Sequence, residues 1–189
     1  MANRDTPIGF RPAHGVGVQH VYSMMTVDSG NGTNLFVGDV TDFDGTGTGP
    51  AAADAGVSVN GVVVGLFDSA GNPVGHPNST VSTKYLPLST AGLALIALAI
   101  PGAQFIAQGQ SSQSTAASNV GATTDHVAGT GDTTTARSRH ELNISDLNTG
   151  AQFRIVNKVN APNNDWDEDN TDLYVTFNES AFNSTATGA

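Results

Sequence analysis

Residues Gly56 to Asp68 read GVSVNGVVVGLFD. Val57 and Val59 alternate with Ser58 and Asn60, the two-residue period of a strand, and Val62 to Val64 follow as an unbroken β-branched run. Gly61 and Gly65 inside such a strand point to bulges or a close backbone approach. The same grammar extends outward in both directions. Upstream, VYSMMTV (Val21 to Val27) ends at DSGNGT, whose Asn31-Gly32 pair suits a tight turn, and LFVGDVTDF (Leu35 to Phe43) ends at DGTGTGPAAADAG. Downstream, SAGNPVGHPNST is a turn, and TVSTKYLPLS leads into GLALIALAIPGAQFIA. Short apolar runs punctuated by Gly, Asn, Asp and Pro predict an all-β chain, a β-barrel or a jelly-roll-like sandwich.

Two more strands close the chain. In AQFRIVNKVN, Phe153, Ile155 and Val159 share a face; in DLYVTFNESAF, Leu173, Val175 and Phe177 point inward and Tyr174 and Thr176 outward. The segment 92–100 is open, because its alternation of large and small residues fits helix and strand alike; an all-β setting favours a buried strand that ends at the Pro101-Gly102 turn. Residues 111–136, SSQSTAASNVGATTDHVAGTGDTTTA, are polar and of low complexity, and predict a long loop because they hold too little apolar area to offset the entropy of ordering. No fixed-period repeat is present. The division expected is an extended arm over 1–20, one β domain over 21–183 and a short tail over 184–189.

Composition narrows the function. The chain has 189 residues, no cysteine, 7 Lys+Arg against 17 Asp+Glu and a formal net charge of −10. Charged residues make up 13% where about 25% is usual, so Gly, Ser, Thr and Asn build the surface. With so few cations and no basic stripe, nucleic acid is an unsuitable partner. The longest apolar stretch, Gly92 to Ala107, is shorter than the ~20 residues of a helical membrane span and is broken by Pro101-Gly102. MANRDTPIGF has no apolar core of a secretory signal.

No catalytic constellation emerges. There is no G-x-S-x-G elbow, and none of Glu141, Glu168 and Glu179 lies in an apolar run that would raise its pKa. GTGTG at 45–49 lacks the lysine and spacing of a phosphate loop. His14, His20, His76, His126 and His140 show no zinc spacing and read as polar loop residues. Asn-x-Ser/Thr triplets at Asn31, Asn78, Asn143, Asn178 and Asn183 are expected by chance in such a composition. The densest cluster, NNDWDEDNTD at 163–172, places Asp165, Asp167 and Asp169 like the opening of a calcium loop. Position 6 is Asn170 where glycine is needed and position 12 is Thr176, so a solvated acidic hairpin loop is the main expectation, a weak Ca²⁺ site the lesser one. No cofactor is expected.

The opening MANRDTPIGFRPAHG, through Ala2-Asn3, Asp5, Pro7, Gly9-Phe10 and Pro12, resembles the N-terminus of capsid decoration (cement) proteins of tailed bacteriophages. Gly38-Asp39, Gly61-Val62 with Gly65-Leu66, and NKVNAPNNDWDEDNTDLYVTFNESAF are looser matches. The resemblance covers both ends well and the middle poorly; the polar segment 111–136 departs from it. It implies a non-enzymatic virion protein on the outer capsid surface, a homotrimer that bridges neighbouring major capsid protein subunits. The arm would then supply the capsid contacts, through Arg4, Pro7, Ile8, Phe10, Arg11 and Pro12, and deleting Met1 to Pro12 would abolish binding while leaving the body folded. A β-sandwich adhesion or carbohydrate-binding module of a tail or head fibre is the alternative, with Trp166 as its stacking residue. Arg4 and Arg11 near the N-terminus and acids at 165–172 suggest a cationic arm set apart from an anionic body.

Overall fold

In the computed structural model, which describes residues 3–15, 17–43, 50–150 and 152–182, the valine run is a strand at the centre of a sheet. Met1, Ala2 and Val16 of the arm, the GTGTG segment at 45–49, Asn183 and the tail at 184–189 lie outside the described residues. In chain order the strands are β1 (Arg11–Pro12), β2 (Tyr22–Val27), β3 (Val40–Phe43), β4 (Pro50–Ala52), β5 (Gly61–Asp68), β6 (Gly92–Leu98), β7 (Gln104–Gln108), β8 (Thr123–Thr124), β9 (His126–Val127), β10 (Glu141–Leu142), β11 (Phe153–Lys158) and β12 (Asp172–Phe177). Single 3-10 turns cover Ala117–Asn119 and Ile144–Asp146. The all-β expectation holds.

Two five-stranded antiparallel sheets, ordered β1-β7-β12-β11-β8 and β2-β6-β5-β3-β4, are joined by the small pair β10-β9. The two large sheets share one core, in which Val40, Val62 and Ala97 of one meet Phe105, Phe153, Ile155, Leu173, Val175 and Phe177 of the other. The layout is that of a sandwich, and among the described residues neither large sheet closes into a barrel. The continuous valines are explained by a second core on the far face of the β5 sheet, where Val63, Leu66, Ala94 and Ile96 pack against Leu35, Val81 and Leu86 from the connecting segments. A sheet covered on both faces needs no polar alternation. A bulge between Val63 and Gly65 shifts the register of β5 against β6.

The same double burial settles segment 92–100 as a strand. Along β6, Ala94 and Ile96 face one core and Ala97 faces the other, so large and small residues alternate without a polar face. β7 follows the Pro101-Gly102 turn as expected. β12 keeps Leu173, Val175 and Phe177 buried, and Phe153 and Ile155 of β11 lie opposite them. In LFVGDVTDF only Val40–Phe43 is strand; Leu35 makes an isolated bridge to Leu86 and the chain turns at Gly38.

Two expectations need correction. Residues 111–136 are irregular, as expected of a loop, but they are built into the body: β8 pairs with β11, β9 pairs with β10, and Thr115, Thr124 and His126 are fully buried. Hydrogen bonds replace apolar area there. Thr124 Oγ1 donates to Asp146 Oδ1 at 2.8 Å, and Ala122 and Gly121 exchange backbone bonds with Ile155. The arm is also part of the body, because β1 is an edge strand of the first sheet and Phe10 belongs to the shared core.

Candidate interaction surface

The arm is tied down residue by residue. Asn3 is buried; its Nδ2 donates to the Asp165 carbonyl at 3.0 Å and to Thr171 Oγ1 at 3.2 Å, and its Oδ1 accepts from the Asp165 amide at 2.8 Å. The Gln108 side chain stands in for a neighbouring strand, accepting from the Thr6 amide at 3.1 Å and donating to the Arg4 carbonyl at 2.9 Å. Phe10 donates its amide to the Gly38 carbonyl at 2.8 Å, then Arg11 and Pro12 pair with Ile106 and Phe105. Pro12 lacks a donor, which an edge strand tolerates. Gly9 is required where it stands: φ is +73°, and a Cβ would lie 2.5 Å from the Gly38 carbonyl and Ser138 Cβ.

Of the six residues expected to touch a capsid, Arg4 and Arg11 are exposed and Pro7, Ile8 and Pro12 are half-buried. Phe10 is a correction. It is 1% exposed, stacked on Phe153 at 4.7 Å and edge-on to His126, so its ring has no face left for a partner. An apolar residue in an arm announces that something is covered; sequence alone does not say whether the core is its own or a neighbour's.

Beneath the arm lies a buried polar network that the sequence did not reveal. His126 and His140, read as loop residues, stack at 5.0 Å and are almost fully enclosed. Each ring nitrogen of His126 faces an oxygen, Nδ1 at 2.8 Å from Gln152 Oε1 and Nε2 at 2.9 Å from the Ala53 carbonyl; burial pushes its pKa down, with those hydrogen bonds opposing. His140 Nδ1 accepts from the Val40 amide at 3.2 Å, which leaves Nε2–H facing Asp39 Oδ1 at 3.5 Å. Burial, then the charge of His126, lowers His140 to about 3, and burial raises Asp39 to about 7 against the hydrogen bonds of Ser138 and the Phe36 amide. Near neutral pH, desolvation therefore favours the uncharged forms of both.

Ser138, His140 and Asp39 are the residue types of a catalytic triad, and a cleft of about 340 Å³ beside Phe36 reaches Asp39 and His140. The geometry does not match the chemistry. A base must hold the nucleophile's proton through a ring nitrogen. Here Ser138 Oγ accepts the His140 backbone amide, and His140 Nδ1 is taken by Val40. The network braces Gly38, Ser138 and the arm.

Two clefts flank the arm. One, of about 360 Å³, lies between the arm and β7 and brings together Arg4, Arg11, Arg137, Ile8, Ile106 and Asp172. The other, of about 390 Å³, holds Arg137 and Arg139 among Asp5, Asp132 and Glu141. Arg11 pairs with Asp172 at 3.8 Å and Arg139 with Asp132 at 3.3 Å. Burial, followed by the charge of Asp5, raises Glu141 to about 7. Four of the seven cations thus line one region, two of them (Arg137 and Arg139) far from the N-terminus in sequence.

The acidic segment lies beside these clefts, since Asn3 binds Asp165 and Arg11 meets Asp172. The expected separation of a cationic arm from an anionic body is therefore corrected: the charges adjoin. Asn164 organises this loop, donating to the Val159 and Asp172 carbonyls at 2.8 and 2.9 Å and accepting from the Asp172 amide at 2.8 Å. Asp165 and Asp167 are exposed, and among the described residues no three His, Asp or Glu side chains, those of Asp165, Asp167 and Asp169 included, are grouped to hold a metal. Trp166 rests half-buried against the shared core. On the opposite sheet, edge strand β2 and the residue before it expose Val21, Tyr22 and Met24.

Compared with family models, with curated proteins and with solved structures, the chain matches none.

Proposed function

We propose that the chain is a non-enzymatic decoration protein of a phage capsid, binding the outer shell surface and bridging neighbouring major capsid protein subunits as a homotrimer. The observation that carries the reading is the arm, held extended on a rigid sheet with Arg4 and Arg11 outward and Ile8 half-exposed between them. A pre-ordered arm loses little conformational entropy on docking, and repetition across three subunits multiplies modest contacts through effective concentration. The exposed apolar side chains of Val21, Tyr22 and Met24 on and beside β2 suit the seam between subunits. Trp166 packs against the core and does not stand free as a sugar platform, which disfavours the adhesion alternative.

The test is co-sedimentation with undecorated heads, with immobilised glycans in parallel. Wild-type protein should pellet with heads, and the charge reversals R4E and R11E should release it. Retention on glycans without head binding refutes the reading. Deletion of Met1 to Pro12, the test suggested by the sequence, would confound binding with folding, because it removes Phe10 from the core.

A further inference from the structure

The geometry points to a carboxylate-binding site in the cleft between the arm and β7, one that takes an acidic peptide segment displayed by the partner protein. The inference rests on the arm being the docking element and adds what it recognises. Three guanidinium groups and one carboxylate line this cleft, a local excess of cations on a chain of net charge −10. Arg11 is engaged by Asp172 at 3.8 Å, whereas the guanidinium groups of Arg4 and Arg137 meet no acceptor among the described residues, and both side chains are exposed. Two free planar forks in one cleft match carboxylates, which they bind through paired N–H donors.

The apolar lining selects among anions. Ile8 and Ile106 are half-buried and share the cleft with the arginines, so it offers apolar as well as cationic surface. A glutamate side chain uses both parts, its methylenes on the isoleucines and its carboxylate on the arginines. Inorganic phosphate has no apolar part to place there, and a long polyanion is repelled by the surrounding acidic surface. A volume of about 360 Å³ holds a short stretch of side chains. The second cleft is a poorer site, because Arg139 is spent on Asp132 and the carboxylates of Asp5 and Glu141 add negative charge to its lining.

The experiment uses a fluorescent, glutamate-rich hexapeptide capped at both ends, with anisotropy as the readout, and the full chain as receptor. Binding should weaken with added salt and fall at least tenfold in the R4A/R137A pair, whose melting temperature should match wild type because both side chains are exposed. R154A should bind as wild type, since Arg154 is spent on the Gly121 carbonyl and Asn178. The proposal is overturned if the peptide does not bind, if R4A/R137A binds it equally, or if inorganic phosphate or a neutral peptide with a free C-terminus competes as well as the acidic one. Head capture separates the two readings. Arginine-dependent peptide binding without head capture upholds the cleft and sinks the capsid assignment; head capture untouched in R4A/R137A overturns the cleft and leaves that assignment standing.

Discussion

Replacing Phe10 by alanine tests whether the N-terminal segment is structural. The ring is 1% exposed, stacked on Phe153 at 4.7 Å and in edge contact with His126 at 6.4 Å. Removing a fully buried phenylalanine forfeits about 1.5–3 kcal/mol of transfer free energy and about 0.5–1.5 kcal/mol of aromatic pairing, and the cavity left behind adds to both. The sum falls at about 3–5 kcal/mol, a large share of the roughly 5–15 kcal/mol that holds a domain folded. For a chain of this length each kcal/mol lowers the melting temperature by about 2–4 °C, so F10A should melt at least ~6 °C below wild type. Urea unfolding followed by the fluorescence of Trp166, the sole tryptophan and itself packed on the same core, reads the change directly. Ile8→Ala, at a half-buried position, should cost well under half as much. If F10A unfolds within ~0.5 kcal/mol of wild type, the arm is not part of the core and the reasoning fails.

The buried pair Asp39 and His140 gives a pH signature. Asp39 is raised to about 7 in the fold against about 3.9 unfolded, so the folded state keeps a proton the unfolded state releases; its contribution is greatest below pH ~4 and is lost as pH rises towards 7. His140 is lowered to about 3 against about 6.5 unfolded, so its contribution is present above pH ~6.5 and is lost as pH falls towards 3. The two slopes oppose each other between pH ~4 and ~6.5. Asp39→Asn removes one of them, and the stability of wild type relative to this variant should decline from pH 4.5 to pH 6.5 in paired urea titrations; a constant difference contradicts the assignment. Asn164→Ala strips one acceptor and two donations from the acidic loop and leaves the half-buried Asp172 amide without this partner, a loss of about 1–3 kcal/mol that the urea midpoint should register together with altered Trp166 emission.

The strands that could be read from sequence were those with one apolar face. Leu173, Val175 and Phe177 alternate with polar neighbours because only one side of β12 meets the core. β6 was ambiguous for the opposite reason: both of its faces are covered, so periodicity carries no sign of which structure it adopts. Segment 111–136 misled because composition treats Thr and His as solvated, whereas Thr115, Thr124 and His126 are buried. A polar side chain reaches the interior once its partners are in place, and those partners, Asp146 and Gln152, lie 22 and 26 residues on. The arginine cleft was half visible. Arg4 and Arg11 stood out near the N-terminus, but Arg137 joins them through tertiary folding alone.

The anchoring of the arm also dictates when the molecule can finish folding. Asn3 bonds to Asp165 across 162 residues of sequence, and the two residues of β1 pair with a strand more than 90 positions later. The arm is therefore made well before its sites and is among the last segments to find its place. Contacts of such sequence separation slow folding and prolong the exposure of unpaired strand edges. Phe10 has no core to enter until β11 and β12 have assembled, so the arm closes the core late in folding.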